Sequence, residues 1–457
     1  MDVAFKLAEN IINTKYDELP LQAIDITKKD ILDIIGTIIA GSTAQGVEEI
    51  GSLIKEWGGK EESTVIAFDC KVPSPNAAFV NAIMGHALDY DDGHDSAILH
   101  AATTVVPASF AIAERSGNVN GKEFITAVAL GVDMLCRMGL ATGITLKESG
   151  WVYTSIYGYF GATASAGRLL GLNKEEMINA FGIAYSQTAG NYQAIADAVL
   201  TKRMQPGFAA KAGVLSALLA KRGITGAQNS IEGQFGLYNV FLRGIYNAHA
   251  LTEELGKSFE IANIGFKPYP SCGYTHAPIY ATLSLVNEND IVPDDIEEIN
   301  ISIGENAAEL CTPLERKRQP GSIPDAQFSI PYTVATAVAK RKVEISDFTL
   351  ESIKDPVVLE IAQKIMPRIT PELTSRGVEP AIVEIKTKDG NRYTRREDYR
   401  KGSPQNPMTT EDIINKFRDC AKYGKKRIPE QNIEKVIELV NNLEEVDNIG
   451  EIIRLIS

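Results

Sequence analysis

Apolar residues recur at three- and four-residue steps through most of the first 260 residues, a spacing that predicts α-helices. In the segment 21–39 this spacing is sustained over five turns, and Pro20 stands at its start as a helix opener. Small residues cover most faces of 158–172 and 206–220. Because small residues let helices approach closely, we predict that these two helices are central and buried on all sides.

Near residue 265 the pattern changes to alternation, which indicates β-strands. Residues 299–303 and 381–387 alternate between apolar and polar side chains, and an Asp-Gly turn at 389–390 leads from the second into a further strand at 392–394. Helical spacing returns between and after the strands, over 332–340, 356–366, 410–422, 429–442 and a short last segment.

We therefore predict a mainly α protein with an α+β part. A large all-helical domain occupies 1–265, a smaller α+β domain occupies 266–400, and C-terminal helices over 401–457 return to the helical domain.

Charge and composition limit the kinds of binding partner and the cellular compartment that we expect for the protein. The 46 Lys and Arg against 59 Asp and Glu leave a net charge of −13, which argues against nucleic acid as the main partner. The five cysteines are scattered and lack CxxC spacing, which is typical of free thiols in a reducing cytoplasm. The start lacks the layout of a secretory signal, and the most apolar run, 31–40, is interrupted by Asp33. We expect a cytoplasmic protein without a membrane span.

One segment, 85–100, concentrates the polar chemistry of the chain. It contains three of the five histidines (His86, His94, His100) and four aspartates (Asp89, Asp91, Asp92, Asp95), directly before an apolar helix at 105–113. Polar groups beside a buried helix are costly unless they pair or serve a site. The segment predicts acid/base chemistry with His100 near the helix start; a metal site and a solvated capping loop are the alternatives. Signatures of nucleotide, zinc-protease and hydrolase sites are absent from the sequence, so we expect no cofactor and no metal.

The segment GHALDYDDGHDSAILH and the following VPASFAIAE resemble the signature of the MmgE/PrpD family. Further segments of that family follow in order at 150–172, 202–213, 266–276, 325–332 and 401–417, so the resemblance covers nearly the whole chain. The family includes 2-methylcitrate dehydratases, cis-aconitate decarboxylases and iminodisuccinate epimerases. The resemblance implies a metal-free homodimer with a helical domain and an α+β lid domain, acting on a small polycarboxylate.

The resemblance also implies roles for single residues. His100 and Lys202 match family groups that transfer protons, and Lys202 can also bind a substrate carboxylate. Tyr332 matches a pocket tyrosine of the lid domain. The substrate-binding set is Asp89, Arg203, Lys267 and His276.

Two positions depart from the family pattern. Val152 and Gln205 stand where dehydratases and decarboxylases commonly have histidines, and Tyr153 is the neighbouring weak acid that can substitute. The first hypothesis is a 2-methylcitrate dehydratase-like lyase, with His100 as the acid for the leaving hydroxyl. A Lys202–Tyr153 pair would instead suit an epimerase of a dicarboxylate. A cis-aconitate decarboxylase and a non-catalytic polycarboxylate-binding protein are the further alternatives.

Overall fold

The computed structural model describes residues 2–457, which divide into two compact units. The first unit comprises the chain up to Ala87, Asp91–Ile264 and Thr409–Ser457, and the second comprises Leu88–Tyr90 and Gly265–Met408. The main segment of the second unit therefore runs from 265 to 408, whereas the sequence pattern predicts an α+β domain over 266–400.

The first unit is built almost entirely from helices. Up to Ile264, its elements are α1 (Ala4–Asn13), α2 (Leu21–Gly41), α3 (Val47–Trp57), β1 (Ser63–Val65), β2 (Cys70–Val72), α4 (Ser74–His86), α5 (Ala102–Ser116), α6 (Gly121–Ala141), α7 (Leu146–Ser149), α8 (Tyr153–Leu169), α9 (Lys174–Tyr185), α10 (Gln193–Ala196), α11 (Thr201–Ala220) and α12 (Leu237–Phe241). The prediction of an all-helical domain missed the antiparallel pair β1–β2, because three-residue strands are too short to show a period.

Three of these helices, α5, α8 and α11, lie side by side and run in the same direction. A Cβ added to Gly158 of α8 would lie 2.8 Å from the Thr104 side chain of α5 and 3.2 Å from that of Ala209 on α11. Only glycine permits this approach. The prediction of central burial is confirmed for α8, which is buried from Tyr153 to Gly167, whereas α11 exposes Phe208.

Among the described residues, one helix, α6, is long and apolar enough to cross a membrane by length and composition. Of its most apolar window, 94% is buried inside the protein. Its two charged groups in the second half, Asp133 and Arg137, form a buried ion pair of 2.8 Å. These features are those of a core helix. The sequence pattern had instead singled out 31–40, in α2, as the most apolar run.

The second unit combines helices with a four-stranded sheet. Its elements are α13 (His276–Glu288), β3 (Ile296–Ile303), α14 (Leu314–Arg318), α15 (Ile323–Gln327), α16 (Ile330–Lys340), α17 (Pro356–Gln363), β4 (Ile365–Ile369), β5 (Ala381–Thr387) and β6 (Arg392–Glu397). The strand order is β4-β3-β5-β6, with β3 and β4 parallel and the other pairs antiparallel. The predicted strands are confirmed, but the helix predicted to reach residue 366 ends at Gln363, where the chain enters β4.

The last three helices belong to the first unit. They are α18 (Thr410–Ala421), α19 (Glu430–Asn441) and α20 (Gly450–Leu455). Helix α18 packs against α2, where the buried Lys416 ammonium lies 2.7 Å from the Asp33 carboxylate.

Candidate active site

The polar segment begins at the end of α4 with a buried histidine–aspartate pair. The Nδ1 atom of His86 lies 2.7 Å from Oδ2 of Asp91, and both side chains are almost fully buried. His86 is the last residue of α4, and the partial negative charge of a helix C-terminus favours a cation there. The Asp91 carboxylate thus holds the His86 ring in place, and the centroid of this ring lies 5.1 Å from that of His100.

His100 precedes α5 and is oriented by two backbone hydrogen bonds. Its Nδ1 lies 2.5 Å from the Asp92 carbonyl oxygen, which can only accept, so Nδ1 carries the hydrogen and Nε2 is the basic atom of the neutral ring. Its backbone N–H donates to Oγ1 of Thr154 at 2.9 Å. The His100 side chain is 24% exposed against 2% for His86, so His100 is the one of the two that a solute can reach.

The ring of His100 lies close to negative charge. Its Nδ1 is 3.8 Å from Oδ2 of Asp91, and its centroid is 5.1 Å from that of His86. A carboxylate at this distance stabilises a protonated imidazole. The arrangement suits a group that accepts a proton and later returns it.

Asp92 caps α5 and shares its surroundings with other carboxylates. Its side chain accepts from the backbone N–H groups of Ala101 and Ala102 at 3.0 and 3.2 Å. Burial, and then the charge of Asp91, raise the pKa of Asp92 to about 7, against the lowering effect of the two hydrogen bonds. Burial and the charge of Asp92 likewise raise the pKa of Asp30, on α2, well above its ordinary value. The sequence gives no sign of Asp30, because it stands within an ordinary helical pattern.

The starts of α5, α8 and α11 lie together. The hydrogen bond between His100 and Thr154 joins the start of α5 to that of α8. The loop 190–191 is hydrogen-bonded to both α8 and α11. The Val152 N–H, at the start of α8, donates to the Gly190 carbonyl at 3.2 Å. Nε2 of Gln205, in α11, donates to the Asn191 carbonyl at 2.9 Å.

The starts of α8 and α11 carry no negative charge of their own. Helices α8 and α11 begin without a capping side chain and without an acidic residue in the first turn. Lys202 and Arg203 stand in the first turn of α11; Lys202 is half-buried, and the buried Arg203 donates to the Gln45 carbonyl at 3.4 Å. Helix N-termini carry partial positive charge and bind anions. The first unit thus carries His100 at the start of α5 and the cations Lys202 and Arg203 at the start of α11.

Tyr153 opens α8, and its hydroxyl is bonded to the backbone. The oxygen donates to the Ile144 carbonyl at 2.5 Å, and the side chain is buried. A proton-transfer role for Tyr153 stays a prediction, and this contact does not support it.

In the second unit, Lys267 and Asp89 form a buried pair. Nζ of Lys267 lies 2.9 Å from the Asp89 carbonyl oxygen and 3.2 Å from its Oδ1. Asp89 has a φ of 52°, a left-handed conformation that aspartate and asparagine tolerate better than most residues. Nε2 of Gln327 donates to the Leu88 carbonyl at 2.7 Å. These contacts fix the segment 88–90, so the charge of Lys267 is matched within the protein.

His276, the first residue of α13, is fully buried and neutral. Its Nε2 lies 3.2 Å from the Ser271 carbonyl oxygen, so Nε2 carries the hydrogen, and Nδ1 has no hydrogen-bond partner among residues 2–457. Burial, followed by the positive charges of Arg400 and Lys267, lowers the pKa of His276 well below its ordinary value. His276 is therefore a hydrogen-bonding group rather than a cation.

Tyr332 lies in the hydrophobic core of the second unit. Its hydroxyl donates to the backbone carbonyls of Asp347 at 2.6 Å and Ser352 at 3.3 Å, and burial raises its pKa. The predicted role in proton transfer stays a prediction that these contacts do not favour, since the hydroxyl is occupied by the backbone.

Two models of known protein families match the chain. Residues 6–248 match the MmgE/PrpD N-terminal domain and residues 269–445 match the MmgE/PrpD C-terminal domain. The chain belongs to the MmgE/PrpD family.

Its relatives include a cis-aconitate decarboxylase of Aspergillus terreus, 26% identical over 97% of this chain and 94% of the relative. The cis-aconitate decarboxylase of Homo sapiens is 28% identical over 98% of this chain and 93% of its own length. A 2-methylcitrate dehydratase of Salmonella typhimurium is 24% identical over 51% of this chain and 50% of its own length. These relatives are lyases, which supports a lyase function at the level of the family.

Proposed function

We propose that this protein is a cofactor-independent lyase that acts on a small di- or tricarboxylate by transferring a proton beside a carboxylate group. The observation that carries the proposal is that the starts of α5, α8 and α11 are linked by hydrogen bonds in the first unit, since His100 stands at the first of them and Lys202 and Arg203 at the last. A polycarboxylate needs several cationic or hydrogen-bonding anchors, and this region supplies them.

The charges of the region suit an anionic substrate. Lys202 and Arg203 bind carboxylates, and the starts of α8 and α11 add the partial positive charge of a helix N-terminus. The one carboxylate that caps α5, Asp92, has a pKa of about 7 and therefore carries only part of its charge near neutral pH. Repulsion of the substrate by Asp92 is reduced accordingly.

His100 performs the proton transfer in this proposal. Its Nε2 removes the proton beside a carboxylate, and the developing enolate charge is stabilised by Lys202 and the helix starts. In a dehydration, the protonated ring then donates to the leaving hydroxyl as the carbon–oxygen bond breaks, and water departs. In a decarboxylation no proton is removed first. The carbon–carbon bond to the carboxylate breaks and carbon dioxide leaves, and a His100 ring that enters the reaction protonated donates its proton to the carbanion and is protonated again from water.

The dehydration is the first hypothesis from the sequence. Decarboxylation is the second candidate, and it is supported by relatives that match over more than nine-tenths of both chains and are cis-aconitate decarboxylases. The contact of Tyr153 with Ile144 does not favour the epimerase, and the retained His100 and Lys202 do not favour a non-catalytic protein. The homodimer, the cytoplasmic location and the roles of Asp89, Lys267, His276 and Tyr332 stay predictions.

The reactions are distinguished by incubating the protein with a panel of di- and tricarboxylates in deuterated water and recording proton NMR spectra. A new alkene signal with loss of a hydroxyl group identifies the dehydratase, and released carbon dioxide identifies the decarboxylase. Deuterium exchange at a stereocentre without other change identifies the epimerase. A panel that stays unchanged contradicts the lyase proposal.

Lys202→Ala is expected to lower turnover at least about 100-fold, the effect of removing a positioned catalytic group. Lys221→Ala is the matched control, because Lys221 stands just beyond the far end of α11 and bonds the Gly171 carbonyl there. Equal turnover in the two variants would remove Lys202 from the site. Treatment with a chelator should leave turnover unchanged; a reversible loss would favour the metal alternative for the histidines and aspartates of 85–100.

A further inference from the structure

A tight loop over residues 94–99, called the 94–99 loop below, is closed by its first residue, His94. The His94 N–H donates to the Leu99 carbonyl at 2.9 Å, and the Ile98 N–H donates to the His94 carbonyl at 2.9 Å. The ring of His94 adds a third contact, because its Nδ1 accepts from the Ala97 N–H at 3.1 Å. Three hydrogen bonds of one residue therefore close this loop on itself.

The His94 ring also binds Glu260, far along the chain. Its Nε2 lies 3.1 Å from Oε2 of Glu260, and Nε2 carries the hydrogen because Nδ1 is an acceptor. The Glu260 N–H donates to Oδ1 of Asp133 at 2.7 Å, and Oδ2 of Asp133 accepts from Nε of Arg137 at 2.8 Å. Asp133 and Arg137 are buried in α6. His94 is 4% exposed and both of its ring nitrogens are occupied, so it anchors the 94–99 loop to the core and is not placed to exchange a proton with a substrate.

The loop is held in a strained conformation. Ile98 has a φ of 57°, in the left-handed region that β-branched residues very rarely adopt. Such a conformation costs free energy and persists only where the surrounding contacts impose it, most often at functional sites. The loop also lies directly on α6, because a Cβ built on Gly139 would lie 2.6 Å from Cδ2 of Leu99 and 2.9 Å from Cβ of Ala97. The contacts of the ring and this close packing together oppose relaxation of Ile98.

The strained residue lies two positions before His100. The loop therefore sets the direction in which the chain enters His100, whose ring is oriented by the Asp92 carbonyl. We infer that His94 is a positioning residue: its contact with Glu260 holds the loop in the strained form, and the loop fixes the place of the proton-transferring ring. The inference rests on the proposed function, because it takes His100 as the group that transfers the proton.

The first test removes His94 and then removes the strain, with turnover measured on the substrate that the NMR panel identifies. His94→Ala should lower kcat about 10- to 100-fold, the scale of a small misplacement of a catalytic group, and should leave KM little changed because Lys202 and Arg203 stay in place. Adding Ile98→Gly should restore most of kcat, because glycine adopts a positive φ without steric cost. Adding Ile98→Ala instead should restore little, because alanine keeps the Cβ atom.

Conservative variants test the two ring contacts separately. His94→Asn keeps an acceptor for the Ala97 N–H and His94→Gln keeps a donor for Glu260, so each should retain more activity than His94→Ala. Glu260→Gln keeps an acceptor for Nε2 and should retain kcat, whereas Glu260→Ala should lower it. His249→Ala is the matched control, because the His249 side chain is 76% exposed and pairs with the neighbouring Glu253. Its kcat should equal that of the wild-type protein.

A second readout does not depend on turnover. Diethylpyrocarbonate acylates neutral imidazoles that solvent reaches, and mass spectrometry compares the partly exposed His100 with the exposed His249 within one protein. His94→Ala should raise the rate at His100 relative to that at His249, and adding Ile98→Gly should return the ratio to its wild-type value. Circular dichroism records whether each variant is folded. If His94→Ala does not fold, Glu260→Ala takes its place in both comparisons.

Wild-type kcat and a wild-type acylation ratio in His94→Ala would overturn the inference. So would losses that Ile98→Gly does not restore, because His94 would then act other than by holding the strained loop. If the acylation ratios respond as expected while His100→Asn keeps its turnover, the positioning by His94 stands and the proposed role of His100 is wrong. If no acid of the panel reacts, the proposed function fails and the acylation ratios alone decide the inference.

Discussion

The two units each contain a histidine that the family resemblance assigns to the reaction, and the structure gives the two rings opposite environments. His100 in the first unit is partly exposed and lies beside the carboxylate of Asp91. His276 in the second unit is fully buried, and the charges of Arg400 and Lys267 disfavour its protonation. Surroundings, rather than residue type, therefore decide which histidine can exchange a proton.

The largest expected effect is on turnover when the exposed ring is removed. His100→Asn keeps a donor for the Asp92 carbonyl but removes the basic Nε2, so turnover should fall about 100- to 10,000-fold. His276→Gln keeps a donor for the Ser271 carbonyl and should leave the acidic limb of the pH–rate profile in place, because its ring is neutral. Steady-state kinetics across pH checks both. A lost acidic limb in His276→Gln alone would reverse the assignment.

The second effect concerns the buried ion pair of the second unit. Lys267→Met leaves the buried carboxylate of Asp89 without its cation, which should destabilise the second unit by about 3–5 kcal/mol. Hydrogen exchange of the β3 and β5 amides measures the loss. The double variant Lys267→Met/Asp89→Asn should recover most of it, since asparagine also accepts the positive φ at position 89. An unchanged exchange rate in the single variant would contradict the pair's role.

A third effect, on pH dependence, follows from Asp92 in the first unit. Its pKa is about 7 in the folded protein against an ordinary 3.8, so between these values only the folded state keeps the proton. Stability from this group is therefore lost as the pH rises from about 4 to 7, by up to about 4 kcal/mol. Asp92→Asn should flatten this decline. Urea unfolding followed by tryptophan fluorescence reports on it, because Trp57 and Trp151 both lie in the first unit.

The smallest expected effect is a pH dependence of stability in the second unit, with a sign opposite to that of the Asp92 effect. The pKa of His276 is lowered by burial, so below its ordinary value of 6.5 the unfolded chain binds a proton that the folded unit does not. Stability from this group is present above pH 6.5 and is lost as the pH falls, by at most about 2 kcal/mol at pH 5. Exchange of the α13 amides, corrected for the intrinsic rate, should show this slope, and His276→Gln should remove it. A slope that persists in the variant would assign it to another group.

Much of the fold was predictable because its elements are long and periodic. The helix predicted from residue 21 begins at Leu21, and the strand predicted over 381–387 is β5 with those bounds. The hairpin β1–β2 and the parallel strand β4 were missed. Strand β4 contains Pro367 and Arg368 and lies at the edge of the sheet, so its short sequence carries no alternation that could distinguish it from the end of α17.

The sequence predicted where the candidate site lies, but only some of the contacts between its residues. The density of histidine and aspartate in 85–100 pointed to His100, and the structure places it at the start of α5. The same segment does not reveal that Asp91 faces His86 while Asp89 faces Lys267 in the other unit. Asp89 and Asp91 are only two residues apart, and the sequence does not distinguish them. The direction of the backbone at each residue decides which partner its side chain reaches.

The sequence by itself determined the family, the two-part architecture and the region of the chemistry, because these follow from periodicity and from motifs that are continuous along the chain. Tertiary structure alone decided which polar atoms are already used. It bonds the hydroxyls of Tyr153 and Tyr332 to backbone carbonyls and occupies both ring nitrogens of His94 within the protein. Hydrogen-bond partners depend on contacts between residues far apart in sequence, and a side chain can act on a ligand only when the fold has not already satisfied it.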